Sequence, residues 1–202
     1  MTFSSFQHKS EVVLASGNAG KIREIQAIVA EHPIVLQSAF NVVECEETGI
    51  SFVENAILKA RNASLHCNLP AIADDSGLVV DALHGSPGVI SARYSGLGAT
   101  DQDNIDKLLH ELAGVPEHLR TARFVCVMVY IEHANDPCPV IAQGVWEGLI
   151  LKQPIGENGF GYDPVFWVSE QNCASAELSA EVKNSLSHRG QALRHLTALL
   201  HP

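Results

Sequence analysis

Pro70-Ala-Ile-Ala-Asp-Asp-Ser-Gly-Leu78 is the stretch on which the reading of this chain turns. Ala71 to Ala73 is a short apolar run of the kind that forms a buried strand, and Asp74 and Asp75 follow it without a spacer. Adjacent carboxylates at a strand end are costly, because like charges repel and neither is easily buried. Two readings account for them. In one, Asp74-Asp75-Ser76-Gly77 is a turn, where Asp bonds nearby backbone and Gly tolerates positive φ. In the other, the pair holds Mg²⁺ and supplies a general base, since Mg²⁺ takes one or two carboxylates plus substrate phosphates. Leu78 to Leu83 then reads as a further strand.

Upstream, Val12 to Ala15 is a β-branched run that predicts a first buried strand. Ser16-Gly-Asn-Ala-Gly-Lys21 follows, ahead of a helical pattern of Ile22, Ile25 and Val29. A glycine loop between strand and helix aims backbone N–H groups and the positive dipole end at any anion present. It is either such a phosphate loop, with Lys21 adding charge, or an ordinary βα turn. Gly17 and Gly20 stand too close for a P-loop, and no Ser or Thr follows Lys21. Ile34 to Gln37 predicts a second strand. The acidic stretch Val43 to Gly49 carries Glu46 and Glu47, either of which could complete a metal site. A helix from Ser51 to about His66 opens with a capping box, Ser51 with Glu54. Its apolar stripe is Phe52, Ala56, Ala60 and Ala63, and a polar row of Asn55, Lys59 and Asn62 faces solvent or a cleft.

Downstream, Ser91 to Gly96 is a loop, and Thr100 with Asp103 caps a helix whose stripe is Ile105, Leu108, Leu109 and Leu112. Ala122 to Ile131 and Val140 to Leu151 read as an antiparallel pair belonging to a second lobe. Gly156-Glu-Asn-Gly-Phe-Gly-Tyr-Asp-Pro164 is a second glycine-rich loop. Phe160, flanked by Gly159 and Gly161, either stacks on a flat ligand or packs into the core. Val165 to Val168 predicts a strand, and Ala174 to Asn184 a helix carrying Lys183. Ser187-His188-Arg189-Gly190 opens a last helix with stripe Leu193, Leu196 and Leu200. Cations at a helix N-terminus oppose its dipole, so His188 and Arg189 are either ligand contacts or an exposed pair behind a Ser187 cap.

Composition narrows the possible partners. With 202 residues, 46% apolar and 18% charged, the chain suits one globular domain of two packed lobes, 1–202, with no linker. The net charge of −10 argues against nucleic-acid or acidic-membrane binding. Five scattered cysteines without a Cys-x-x-Cys pair predict neither a disulfide framework nor a zinc site. Met1 to Ser10 has no apolar export core, and Phe124 to Ile131 is too short to span a bilayer. A soluble cytoplasmic protein is expected.

Taken together, the four loops offer anion donors, a carboxylate pair, a glycine-flanked aromatic and a basic cluster, parts that suit a Mg²⁺-bound nucleoside triphosphate. Ser16 to Lys21, Glu46-Glu-Thr-Gly49, Phe52 to Ala60, Ala73-Asp-Asp-Ser-Gly-Leu78, Pro87-Gly88, Ser91-Ala-Arg-Tyr-Ser95, Phe160-Gly-Tyr-Asp163 and Ser187-His-Arg-Gly190 stand in the order of one family. From about Val12 to Leu200 the chain resembles the inosine/xanthosine triphosphate pyrophosphatases, the Ham1-like hydrolases of non-standard purine nucleotides.

The resemblance implies an α/β fold, an elongated mixed β-sheet forming two α/β lobes with the active-site cleft between them. It implies hydrolysis of ITP, dITP and XTP to monophosphate and pyrophosphate, a homodimer, and a house-cleaning role that removes deaminated purines from the nucleotide pool. On that footing Asp75 is the expected base and a Mg²⁺ ligand, with Glu46 or Glu47 as the second metal carboxylate. Asp74 is an auxiliary ligand or a charge that raises the pKa of the base. Ser16, Gly17, Asn18, Ala19, Gly20, Lys21 and Lys59 are expected to hold the triphosphate, and Ser76 its sugar end. Phe160, Gly161, Tyr162, Asp163, Lys183, His188 and Arg189 are expected around base and sugar. Selectivity is expected from donors facing the 6-oxo group, which adenine's amino group would leave unpaired. Two rivals are a nucleotide sensor without turnover and a related pyrophosphatase acting on modified pyrimidine or ordinary nucleotides. A scaffold role would leave the loops and paired acids unexplained.

Overall fold

Strand β1, Val12–Ala15, is buried along its whole length, as strands covered on both faces are. The structure, a computed structural model, describes residues 11–28 and 34–200. Val29 and Met1 to Ser10, on which two of the expectations above fall, lie outside the described residues. Helix α1 (Ala19–Ile28) follows β1, and β2 (Ile34–Leu36) pairs parallel to it, with Gln37 beginning a 3-10 turn rather than ending the strand. Helix α2 (Phe52–Cys67) starts at Ser51 with the expected reciprocal Ser51–Glu54 cap.

The main departure from expectation is β3. It runs unbroken from Ala71 to Val80 and carries Asp74-Asp75-Ser76-Gly77 inside the strand, so this segment is neither a turn nor a strand end. The strand that was expected from Leu78 to Leu83 is the tail of β3 followed by a 3-10 turn at Asp81–Leu83. β1 supplies the ladder on one side, with Val13, Leu14 and Ala15 opposite Ala71, Ile72 and Ala73 in parallel register. Successive side chains of a strand point to opposite faces. Asp74 and Asp75 therefore point to opposite faces, which lessens the repulsion that favoured a turn.

Beyond β3 come a 3-10 segment at Gly88–Arg93, which takes in the first three residues of the loop expected from Ser91 to Gly96, and helix α3 (Asp101–Glu111), capped by Thr100 and Asp103 as expected. Strands β4 (Thr121–Ile131), β5 (Val140–Ile150) and β6 (Phe166–Val168) follow, with Val165 in the 3-10 turn before β6. The helix expected over 174–184 is three elements: β7 (Cys173–Ala174), a 3-10 turn at Ser175–Glu177, and α4 (Ala180–Leu186) behind a Ser179 cap. Helix α5 (His188–Leu200) is last. The strands form one open mixed sheet in the order β2-β1-β3-β4-β5-β6-β7, parallel at β2-β1-β3 and antiparallel at β5-β6-β7. No helix among the described residues is long and apolar enough to cross a membrane.

The chain divides into two compact units, each with its own core. Among the described residues the first comprises 11–28, 34–75, 126–144 and 189–200, and its core gathers Leu14, Ile25, Ile72, Met128, Leu193 and Leu196. The second comprises 76–125 and 145–188, around Leu78, Leu108, Leu112, Phe124, Trp146 and Phe166.

Candidate active site

In the first unit, the parallel register sets Ala15 opposite Ala73, so the chain leaves β1 at Ser16 beside the point where β3 reaches Asp74. The loop of Ser16 to Gly20 is partly self-satisfied. Asn18 N–H donates to Ser16 Oγ at 3.3 Å, and Asn18 Oδ1 caps α1 by accepting from Lys21 N–H at 3.0 Å. A Cβ on Gly17 would lie 2.0 Å from Glu44 Oε1, so a side chain there would displace the carboxylate of the exposed Glu44.

Asp74, 1% exposed, is the centre of a buried charge network. Lys21 Nζ stands 3.1 Å from its Oδ2, and Arg189 Nη2 donates to the same oxygen at 3.3 Å. Arg189 also donates to Glu24, one turn beyond Lys21 on α1. Burial opposes the charge of Asp74, but Lys21, Arg189 and Lys59 outweigh it and hold the carboxyl well below its usual range. Burial likewise opposes the charge of Arg189, and Asp74 and Glu24 overcome it and keep the guanidinium firmly ionised. Cys126 lies beside Asp74, and burial followed by that charge pushes its thiol up to about 12. Such a thiol is not a nucleophile at neutral pH.

Asp75 is held from α2. Asn55 Nδ2 donates to its Oδ2 at 3.3 Å and Lys59 Nζ to its Oδ1 at 2.9 Å. Lys59 also donates to Glu47 Oε1 at 3.1 Å. The polar row of α2 thus faces inward: Asn62 too is engaged, donating to the carbonyl of Val43. Asn55 Oδ1 accepts from Gly49 N–H at 2.8 Å, where a Cβ on Gly49 would meet it at 2.6 Å. For Asp75, burial outweighs Lys59 and Lys21, so its pKa is raised. Burial pulls the Lys59 ammonium down, but Asp74, Asp75 and Glu47 push it up to about 12.

This donor set bears on a metal. Asp75 and Glu47 share one ammonium, which stands in for a cation between two hard oxygen ligands. Among the described residues no group of three His, Cys, Asp or Glu side chains is placed to hold a metal ion. Two carboxylates with phosphate to complete the shell is the pattern Mg²⁺ favours, and these residues fit it. Glu46, the other expected carboxylate, is exposed.

In the second unit, Asp163 organises the glycine-rich loop. Buried on the 3-10 turn before β6, it accepts from Phe160 N–H at 2.8 Å, Ser175 Oγ at 2.8 Å and Lys183 Nζ at 2.5 Å. Lys183 Nζ also lies 4.9 Å from the centroid of the Phe160 ring, a cation–π contact. Gly159 (φ +81°) touches this knot so closely that a Cβ would stand 2.1 Å from Asp163 Oδ2. Gly161 N–H donates to Asp101 Oδ2 at 2.7 Å, and Tyr162 donates through its hydroxyl to the carbonyl of Ser91 at 2.8 Å. His188 stacks on Phe124, with centroids 4.8 Å apart and rings 12° from parallel. Ser76 is half-buried on β3.

The structure therefore gathers Lys21, Glu47, Lys59, Asp75 and Arg189 in the first unit, and Phe160, Gly161, Tyr162, Asp163 and Lys183 in the second. Arg189, expected near the base, is tied to Asp74 and Glu24 with its guanidinium buried. Asn55 and Glu24 were not singled out as site residues, though each stands one turn from a lysine that was. Asp101 and Ser175 had no local signal, because their partners lie 60 and 12 residues away.

Residues 12–199 match the Ham1 family. A curated protein of Photobacterium profundum named dITP/XTP pyrophosphatase is 56% identical over 193 residues, covering 95% of this chain and 98% of its own. One of the same name from Vibrio cholerae is 55% identical over 188 residues, covering 92% and 94%. Among solved structures, a HAM1 protein from Coxiella burnetii superposes with a TM-score of 0.88 at 49% identity, covering 95% and 98%. The Staphylococcus aureus Ham1 protein gives 0.84 at 42% identity, covering 94% and 97%.

Proposed function

The chain belongs to the Ham1 family, and from that premise we propose that it hydrolyses non-standard purine nucleoside triphosphates, ITP, dITP and XTP, to the monophosphate and pyrophosphate. The observation that carries the mechanism is the buried Asp75, its carboxylate held by Lys59 and Asn55 and made more basic by burial.

Asp75 takes a proton from water, whose oxygen forms a bond to the α-phosphorus. The bond from that phosphorus to the bridging oxygen breaks, and pyrophosphate leaves with the electron pair. Asp75 and Glu47, or Glu46 from the same loop, would hold Mg²⁺, which when bound neutralises charge on the phosphates. Lys59 orients Asp75 and, with Lys21 and the Ser16 to Gly20 loop, offers donors to the triphosphate, with Ser76 near the sugar. Phe160 stacks on the base, and Gly161, Tyr162, Asp163 and Lys183 fix that ring and its surroundings, with His188 toward base and sugar; Arg189 contributes through its bonds to Asp74 and Glu24. The role is removal of deaminated purines from the nucleotide pool, by a protein working as a homodimer.

The test is release of pyrophosphate from ITP, XTP, GTP and ATP, with Mg²⁺ or EDTA, by the wild type and Asp75→Asn. Metal-dependent release from ITP and XTP, near-absent for ATP and lost in Asp75→Asn, is expected. Orthophosphate in place of pyrophosphate would mean attack at another phosphorus and would sink the mechanism. Tight ITP binding without turnover would favour a sensor.

A further inference from the structure

Asp101 stands at the first position of α3, and the cap of that helix does not need it. Thr100 and Asp103 satisfy one another: Thr100 N–H donates to Asp103 Oδ2 at 2.8 Å, and Asp103 N–H to Thr100 Oγ1 at 3.2 Å. The Asp101 carboxylate, favoured by the dipole of α3, is turned instead to the N–H of Gly161. The preceding N–H, that of Phe160, is taken by Asp163. Two successive amides bracketing the Cα of Phe160 are thus held by two carboxylates from different elements. Fixing both peptide planes fixes φ and ψ of Phe160, and with them the direction of its Cα–Cβ bond.

The loop has little preference of its own for this shape. Gly159 (φ +81°) and Gly161 (φ +60°) flank Phe160, and glycine populates both signs of φ at similar cost. Asp163 N–H donates to the Phe160 carbonyl at 3.3 Å from within the loop, and Asp101 adds a tether from outside it. The same helix braces the Ser91 to Ser95 segment, whose motif the proposed chemistry does not use. Asn104 accepts from Ser95 N–H at 2.8 Å and donates to the carbonyl of Ala92 at 3.2 Å. Lys107 donates to the carbonyl of Tyr94 at 2.7 Å. That segment in turn carries the acceptor of Tyr162, the residue after Gly161.

We propose that Asp101 is a positioning residue for base recognition, holding the Phe160 ring in its stacking orientation through the Gly161 amide. This rests on the reading above that Phe160 stacks on the base.

The experiment compares Asp101→Ala, Asp101→Asn, Phe160→Ala and the Asp101→Ala/Phe160→Ala double variant in ITP hydrolysis, with amide hydrogen exchange of the peptide spanning 156–163. Asp101→Ala should raise KM for ITP about tenfold, the worth of one charge-assisted hydrogen bond, and leave kcat within about twofold. Asp101→Asn keeps an acceptor oxygen and should stay within about threefold of wild type. In the Phe160→Ala background, Asp101→Ala should add less than about twofold, because both variants remove one function. Exchange across 156–163 should speed up in Asp101→Ala and not in Asp101→Asn. Additive effects with Phe160→Ala, a loss confined to kcat, or unchanged exchange would overturn the proposal while the wild-type activity stood. A wild type without ITP turnover would overturn the functional reading and the base-recognition role with it.

Discussion

Lys59 Nζ stands 2.9 Å from Oδ1 of Asp75, and the same ammonium reaches Oε1 of Glu47 at 3.1 Å. One positive charge on α2 is therefore shared by two carboxylates that come from different parts of the chain. It is also the charge that any divalent cation at these oxygens would supplement.

Lys59→Met should show this directly. Removing one partner of a largely buried charge group costs about 3 kcal/mol, because Asp75 and Glu47 lose the ammonium they share and Lys21 alone still opposes the charge of Asp75. The melting temperature in EDTA should fall by roughly 6–12 °C for a chain of this size. MgCl₂ should restore more of that loss than it adds to the wild type, since cation binding to the folded state stabilises it by mass action. Equal Mg²⁺-induced shifts in the two proteins would show that these carboxylates do not form the cation site.

Asp75→Asn should separate stability from activity. The fold raises the pKa of Asp75, so the ionised carboxylate opposes folding at neutral pH. Its contribution to stability is best at low pH and declines as pH rises from the unfolded value through the higher folded one. The neutral isostere escapes that cost. In EDTA at pH 7, Asp75→Asn should melt no lower than wild type, while pyrophosphate release drops about 10²- to 10⁴-fold. A clear loss of stability would mean that the Lys59 pair outweighs the cost of burial.

How much of this was legible in the sequence depends on the range of the interaction. The Ser51–Glu54 and Thr100–Asp103 caps were readable because partners three residues apart make them. Strand β1 and the long strands β4 and β5 were readable from apolar runs. The unbroken β3 was not. Nothing local indicates that Lys21, Lys59 and Arg189 will compensate the two carboxylates, and Arg189 is 115 residues from Asp74. The segment after Cys173 failed for the opposite reason. Its helical composition is overridden by pairing of Val168 with Cys173 and by the Ser175–Asp163 bond. At the site, motifs gave the residue types, but whether Arg189 faces a ligand or a buried carboxylate is a tertiary fact.

Asp74→Asn tests the buried network and its pH dependence. The folded pKa of Asp74 is depressed, so its charge stabilises the fold above the unfolded value, about 3.9. That contribution is lost as pH falls from there through the folded value. At pH 7 in EDTA, the Asn variant should lose about 3–5 kcal/mol, because the buried Arg189 and the partly buried Lys21 lose their shared acceptor. The gap from wild type in urea midpoint should hold from pH 8 to 5 and shrink below about pH 4. A gap that persists undiminished at pH 2 would show that shape, not charge, is what the network requires.

Gly159→Ala tests the knot beneath Phe160, and its outcome follows from two independent facts. At φ +81° an L-residue pays about 1–2 kcal/mol for the left-handed conformation. The added Cβ would also lie 2.1 Å from Asp163 Oδ2, the oxygen that accepts from Phe160 N–H and Lys183. Either the loop lifts or Asp163 swings away, and both break the hydrogen bond that orients Phe160. Asp163 is packed against Ser175 and Lys183, so the loop is the softer of the two. Global stability should fall by no more than about 2 kcal/mol, since the loop surface is exposed and can move. KM for ITP should rise at least about tenfold, with kcat much less affected, since Asp75 and its partners belong to other elements. Steady-state kinetics beside a thermal melt decide it. A variant with wild-type KM and a lowered melting temperature would show that the Phe160 orientation is not what the substrate reads.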